Sequence, residues 1–145
     1  MKNFVLLFLI GGLIAGAAAT YEWLNPPPPA EYEIVYFGST TCGACARWKQ
    51  TDLVAWRQDP ASGAATLHMA DLPGGRGAWT GGYGSQHEVF MQAFGKRRSI
   101  SWPSFVLLNH GEVVGVKSGA GGFRDITGQV RREYLRDQRR SENAV

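Results

Sequence analysis

The sequence predicts an α/β domain built on a mixed sheet, and three observations predict it. Strand-length runs stand at Ile34–Phe37, Thr66–Met69 and Ser104–Leu108, the first bounded by acids and by Gly38-Ser39. A helical segment separates the first two runs, so those strands are expected to be parallel, since a crossover returns the chain to the same end of the sheet. The third run is followed by Asn109-His110-Gly111-Glu112 and a return strand from Val113 to Lys117, which together read as a hairpin. The order is strand, helix, strand, helix, strand, strand, helix.

Taken from the start, Met1-Lys2-Asn3 precedes sixteen uncharged residues, Phe4 to Ala19. A basic start before an apolar run is the pattern of an export signal, and the positive end is expected to stay cytoplasmic. Ala17-Ala18-Ala19 suits cleavage near Thr20. Alternatively the run from Phe4 to about Leu24 stays as an anchor, with Tyr21 and Trp23 at the interface. Residues 1–24 are therefore read as a signal peptide or N-terminal membrane anchor. Residues 25–31 are a linker, because four consecutive prolines, Pro26 to Pro29, favour an extended polyproline spacer. The folded domain is expected over 32–140 and a short tail over 141–145. The expected location is periplasmic, anchored or secreted by the N-terminal segment.

Ala44 to Arg57 carries Cys45, Trp48 and Trp56 between basic residues and reads as the first helix, ended by Asp59-Pro60 and Ser62-Gly63. Ser85-Gln86-His87-Glu88 has the form of a capping box opening a helix through Phe94. Phe123, Ile126, Val130 and Tyr134 recur at helical spacing, so a final helix buries that face and exposes its arginines to solvent. Between the second strand and the capping box, six glycines fall within residues 74–84, which rules out a regular helix or strand. That stretch reads as a solvent loop, or as a substrate lid formed with Trp79 and Tyr83.

Composition narrows the function. With 44% hydrophobic and 19% charged residues the chain is no disordered polymer, and two cysteines cannot staple a miniprotein. Neither GxGxxG nor a P-loop is present, so no cofactor is expected, and export argues against nucleic acid despite the net charge of +3.

The chemistry concentrates in Thr41-Cys42-Gly43-Ala44-Cys45, just after the first strand. Cys42 would stand at a helix N-terminus, where free N–H groups and the dipole favour an anion and so a thiolate. Cys45, one turn on, could attack a mixed disulfide formed at Cys42. Other readings carry less. A zinc site lacks a second CxxC, and His68, His87 and His110 lie in unlike elements. Haem attachment needs histidine where Ala46 stands. A structural disulfide across so small a loop contributes little. No metal is therefore expected.

The strand-then-CxxC segment from Ile34 to Cys45 resembles the opening of thioredoxin-like proteins. Trp102-Pro103, the strand after it, the turn ending at Gly111-Glu112, and Lys117-Ser118-Gly119-Ala120 resemble that family's second half, in order and spacing. The resemblance covers most of residues 32–138. It implies a thioredoxin-like fold in its minimal form, a four-stranded mixed sheet with flanking helices. The family's first strand and helix have no counterpart after the proline spacer, so the core is glutaredoxin-sized.

The resemblance implies a thiol-disulfide oxidoreductase with Cys42 as nucleophile and Cys45 as resolving thiol. It makes Pro103 a cis-proline and places a substrate strand against Trp102, Pro103 and Gly119. It further implies protein thiols or disulfides as substrates, a redox partner, and the membrane as a contact if the anchor is uncleaved. Direction, reduction or oxidation, does not follow. The chain departs from the family at Thr41, where tryptophan is usual, at Ala44, where proline is common, and at Trp102, where a smaller residue is usual. The acid that assists the second cysteine would fall at Tyr36. A second reading is a membrane-tethered binding or assembly module with little redox turnover.

Overall fold

Side chains along a strand alternate between faces, and on the first strand both sets are buried. In a computed structural model of the chain, which describes residues 31–143 apart from 76, 96 and 98, β1 (Tyr32–Ser39) is buried at every position but Glu33. It pairs in parallel with β2 (Ala65–Leu72), from Tyr32 opposite Ala65 to Ser39 opposite Leu72. On its other edge it pairs antiparallel with β3 (Ser104–Asn109), which pairs antiparallel with β4 (Glu112–Ser118). The sheet order is β2-β1-β3-β4. This is the mixed four-stranded sheet of the expected thioredoxin-like fold. A central strand covered on both faces reads as a continuous apolar run, which is what Ile34-Val35-Tyr36-Phe37 is.

The helices are α1 (Gly43–Gln50), α2 (Asp52–Arg57), α3 (His87–Phe94) and α4 (Gly122–Glu142). On one face Ile34, Tyr36, Phe105 and Leu107 meet Cys45 and Trp48 of α1, Trp56 of α2, and Phe123, Ile126 and Val130 of α4. On the other, Val35, Phe37, Val106 and Leu108 meet Phe90 and Phe94 of α3. The β3–β4 hairpin turns through His110 and Gly111, both at positive φ (48° and 81°). That is the two-residue geometry whose twist matches a hairpin.

Three expectations are corrected. The helix expected over Ala44–Arg57 breaks at Thr51 (φ −116°, ψ −77°). The Thr51 hydroxyl donates to the Arg47 carbonyl at 3.0 Å, a back-bond that bends helices. The two pieces bring Trp48 and Trp56 onto one cluster. Secondly, Ser85 does not cap α3. A single 3-10 turn over Gly84–Gln86 leads straight into the helix, and the His87 N–H is already satisfied by the Gly84 carbonyl.

Thirdly, the glycine-rich stretch is not a bare solvent loop. It folds as one-turn 3-10 segments at Pro73–Gly75, Ala78–Thr80 and Gly84–Gln86, and Ala78 and Tyr83 are buried in the α3-side core. Helix α4 runs through Glu142, so the tail expected from residue 141 starts inside it. The export or anchor segment over 1–24 lies outside the described residues, as does the linker except Glu31. Among the described residues no helix is long and apolar enough to cross a membrane.

Candidate functional site

The site forms where β1 ends and α1 begins. The Cys42 N–H closes a tight turn onto the Ser39 carbonyl at 3.1 Å, and Cys42 itself has extended backbone (φ −86°, ψ 109°) as the residue capping α1. Helix N-termini present N–H groups with no intrahelical partner. One of these, that of Cys45, donates to Cys42 Sγ at 3.2 Å. Both cysteines are free thiols, Cys42 partly exposed and Cys45 buried at 1% exposure. A solvent-borne disulfide can reach the first sulfur and not the second.

Burial, and then the hydrogen bond with the Cys42 thiol, push the Cys45 thiol above its ordinary pKa, against the lowering effect of the Ser39 backbone and the Tyr36 hydroxyl. Tyr36 fills the space below Cys45. Its ring stacks on Trp48 with centroids 4.5 Å apart. Its hydroxyl donates to Asp71 Oδ1 at 2.8 Å and lies in hydrogen-bonding reach of the Cys45 thiol. Burial first, then these two neighbours, push the phenol far up. Asp71 also pairs with the Lys49 ammonium from α1. Gly38 permits this packing, since a Cβ there would stand 1.8 Å from the Tyr36 hydroxyl.

The other expected site residues gather at the same end of the sheet. Ser104 opens β3 opposite Phe37 of β1 and Ser118 of β4, so Pro103 and Gly119 lie at the end of the sheet where β1 runs into the Cys42 turn. The Trp102–Pro103 bond is cis, the isomer the resemblance implies. Pro103 is buried, and its carbonyl accepts the Gly119 N–H at 2.7 Å. Gly119 has φ 84°, and a Cβ there would meet nothing within 4 Å, so its outer side is open. Trp102 is half-buried, leaning on both core clusters and on the edge of Tyr83. Beside Ala44 a cleft of about 190 Å³ is lined by Arg47, Thr51, Ala120 and Arg124.

Asp71 and Lys49 were not marked by the sequence pattern. The signal available was an acid in the strand end Ala70-Asp71-Leu72, but its nearness to Cys45 depends on the parallel register that sets Asp71 opposite Gly38. Among the described residues no three of His, Cys, Asp and Glu stand together as a metal site. His68 instead pairs with Glu33 at 2.9 Å. Of the proposed lid residues, Tyr83 is a core side chain whose hydroxyl donates to the Gly38 carbonyl at 3.2 Å. Trp79 packs its ring against Phe90.

No family profile and no curated protein matches the chain. Solved structures do show similarity. The germline-specific thioredoxin Deadhead of Drosophila melanogaster is 16% identical, covering 71% of this chain and 82% of that one, with a TM-score of 0.48. The Schistosoma mansoni thioredoxin pre-protein is 14% identical, covering 81% and 90%, with a TM-score of 0.48. Fasciola hepatica thioredoxin is 17% identical, covering 79% and 92%, with a TM-score of 0.48. Similarity at this level transfers no activity, substrate or partner.

Proposed function

We propose that the chain is a thiol-disulfide oxidoreductase that exchanges disulfides with protein substrates through Cys42 and Cys45. The observation that carries this reading is the pairing of an accessible thiol at a helix N-terminus with a buried thiol one turn further on, the backbone N–H of the second cysteine donating to the sulfur of the first. In the reducing direction Cys42 thiolate attacks a substrate disulfide, forming a mixed disulfide and releasing one substrate thiolate. Cys45, deprotonated, then attacks Cys42 Sγ. The Cys42–Cys45 bond forms, the mixed disulfide breaks, and the second substrate thiolate leaves. Two electrons pass from the cysteine pair to the substrate, and the oxidising direction is the reverse.

The open side of Gly119 and the half-exposed Trp102, both at the end of the sheet where β1 runs into the Cys42 turn, support docking of an extended substrate segment there. The proposed place of work is the far side of a membrane, on the strength of Lys2 followed by the uncharged run from Phe4 to Ala19. An alkaline phosphatase fusion at the C-terminus, active only when exported, tests that placement.

The chemistry is tested by trapping. Cys45→Ser is expected to accumulate mixed disulfides with a disulfide-bonded protein substrate, all through Cys42, while Cys42→Ser traps none and has no turnover. Turnover that survives Cys42→Ser would sink the reading, and a wild-type protein without turnover whose partner binding survives Cys42→Ser would favour a tethered binding module.

A further inference from the structure

We propose that Tyr36 and Asp71 form a proton relay that carries the Cys45 proton out to solvent when Cys45 resolves the mixed disulfide; this rests on the reading of the cysteine pair given above. Cys45 must lose a proton to attack, yet it is 1% exposed, so water has no direct route to it. Tyr36 and Cys45 pack in one buried cluster, and the Tyr36 hydroxyl donates to Asp71 Oδ1 at 2.8 Å. A phenol has one proton to donate and can accept another. The observed direction, Tyr36 donating to Asp71, leaves its oxygen free to accept from the Cys45 S–H.

The transfer balances without a further reactant. The Cys45 proton moves to the Tyr36 oxygen while the Tyr36 proton moves to Asp71 Oδ1. Tyr36 stays neutral, its O–H now points at the new thiolate, and Asp71 becomes a carboxylic acid. The Asp71 side chain is about a quarter exposed and lines a surface cleft of about 400 Å³ with His68, Gly82, Tyr83 and Gln86. From there the proton passes to water. Tyr36 thus touches the reacting sulfur, whereas Asp71 is a positioning residue that acts through it.

The surroundings suit a relay. Lys49 of α1 pairs with the Asp71 carboxylate. The other titratable groups facing the relay are Cys42 ahead of α1, Tyr83 from the 3-10 segment, and His68 on β2 in the cleft. From α4 and β3 the apolar side chains of Phe123, Ile126, Phe105 and Leu107 join the same cluster. Gly38 is the residue that leaves room for the phenol oxygen at this point.

The test separates the two thiols in time. Reduced protein is mixed with one equivalent of dithiobis(nitrobenzoate), and release of the coloured thiolate is followed by stopped flow. The first release reports attack by Cys42, and the second reports resolution by Cys45. In Tyr36→Phe and Asp71→Asn the first release is expected to keep its rate. The second is expected to slow on the order of 100-fold at neutral pH, the scale of a lost proton-transfer group. That gap should narrow as pH rises, because thiolate already formed at equilibrium needs no relay. A second release that is unchanged in both variants, or slowed by the same factor at every pH, overturns the relay. If the phenylalanine variant does not fold, Asp71→Asn, at a partly exposed side chain, decides alone. A first release that survives Cys42→Ser would instead overturn the assignment of the cysteine pair.

Discussion

On the α3 side of the sheet, Phe37 meets Tyr83, Phe90 and Phe94 edge to face, with centroids 4.8, 5.3 and 6.1 Å apart. On the α1–α4 side, Trp48 meets Tyr36, Phe105 and Phe123 at 4.5, 5.0 and 5.0 Å. Both are tight aromatic clusters of the kind that dominate core energetics. They differ in what is enclosed. The α3 side ties down the Tyr83 hydroxyl on a backbone carbonyl, and the buried Ser104 hydroxyl opposite Phe37 on the Ser101 carbonyl. The α1–α4 side encloses a thiol and a phenol hydroxyl, and links them to a charged pair at the rim. Buried polar groups are tolerated where they are hydrogen-bonded to one another. The comparison teaches that one aromatic cluster is a support, and its counterpart is also the floor of the proposed thiol site.

The largest expected effects come from emptying each cluster. Trp48→Ala and Phe90→Ala should each lower the unfolding free energy by about 3–5 kcal/mol, the cost of deleting a buried aromatic, read from urea denaturation. Thiol kinetics should then separate them. Phe90→Ala is expected to leave the Cys45 step intact, while Trp48→Ala frees the Tyr36 ring and slows it. Equal kinetic effects from both would break the distinction between the two faces.

Gly38→Ala is a smaller and sharper probe. The added Cβ collides with the Tyr36 hydroxyl, so the ring must move away from Asp71. Overpacking of this kind costs about 1–3 kcal/mol. The expected signature is a slowed Cys45 release with the Cys42 release unchanged. A variant with wild-type kinetics for both would show that the phenol does not need its present place.

Much of this architecture was legible in the sequence because it rests on local rules. The buried central strand showed as Ile34–Phe37, the hairpin as His110-Gly111, and the candidate cysteine pair as CxxC after a strand. The break at Thr51 was missed because a threonine back-bond competes with helix continuation only in context. Tyr83 was missed because a tyrosine among glycines reads as exposed until Phe37 and Gly38 are in place to receive it. The partner of Tyr36 was missed for a deeper reason. Tyr36 stood out as a position lacking an acid, but the acid lies 35 residues on, on the neighbouring strand. Only the β1–β2 register sets Asp71 beside it.

The smallest expected effect is a pH dependence of stability carried by the buried thiol and phenols. The folded protein holds the Cys45 thiol above its ordinary pKa, chiefly by burial. An unfolded chain releases that proton near the ordinary thiol value of about 8.5. Above that value the folded state binds more protons than the unfolded one, so stability falls as pH rises. The contribution is fully present below about 8.5 and is lost as pH climbs through the raised folded value. Tyr36 and Tyr83, also pushed up chiefly by burial, act in the same direction from about pH 10, the ordinary phenol value. Cys45→Ser removes the thiol and keeps both tyrosines. Reduced wild-type protein should therefore lose stability faster than Cys45→Ser between about pH 8.5 and 10, and the two should decline together beyond the thiol's titration. Urea midpoints measured across that range for both proteins, under reducing conditions, check this. Parallel decline from the start would mean that Cys45, buried at 1% exposure, ionises as readily in the fold as outside it.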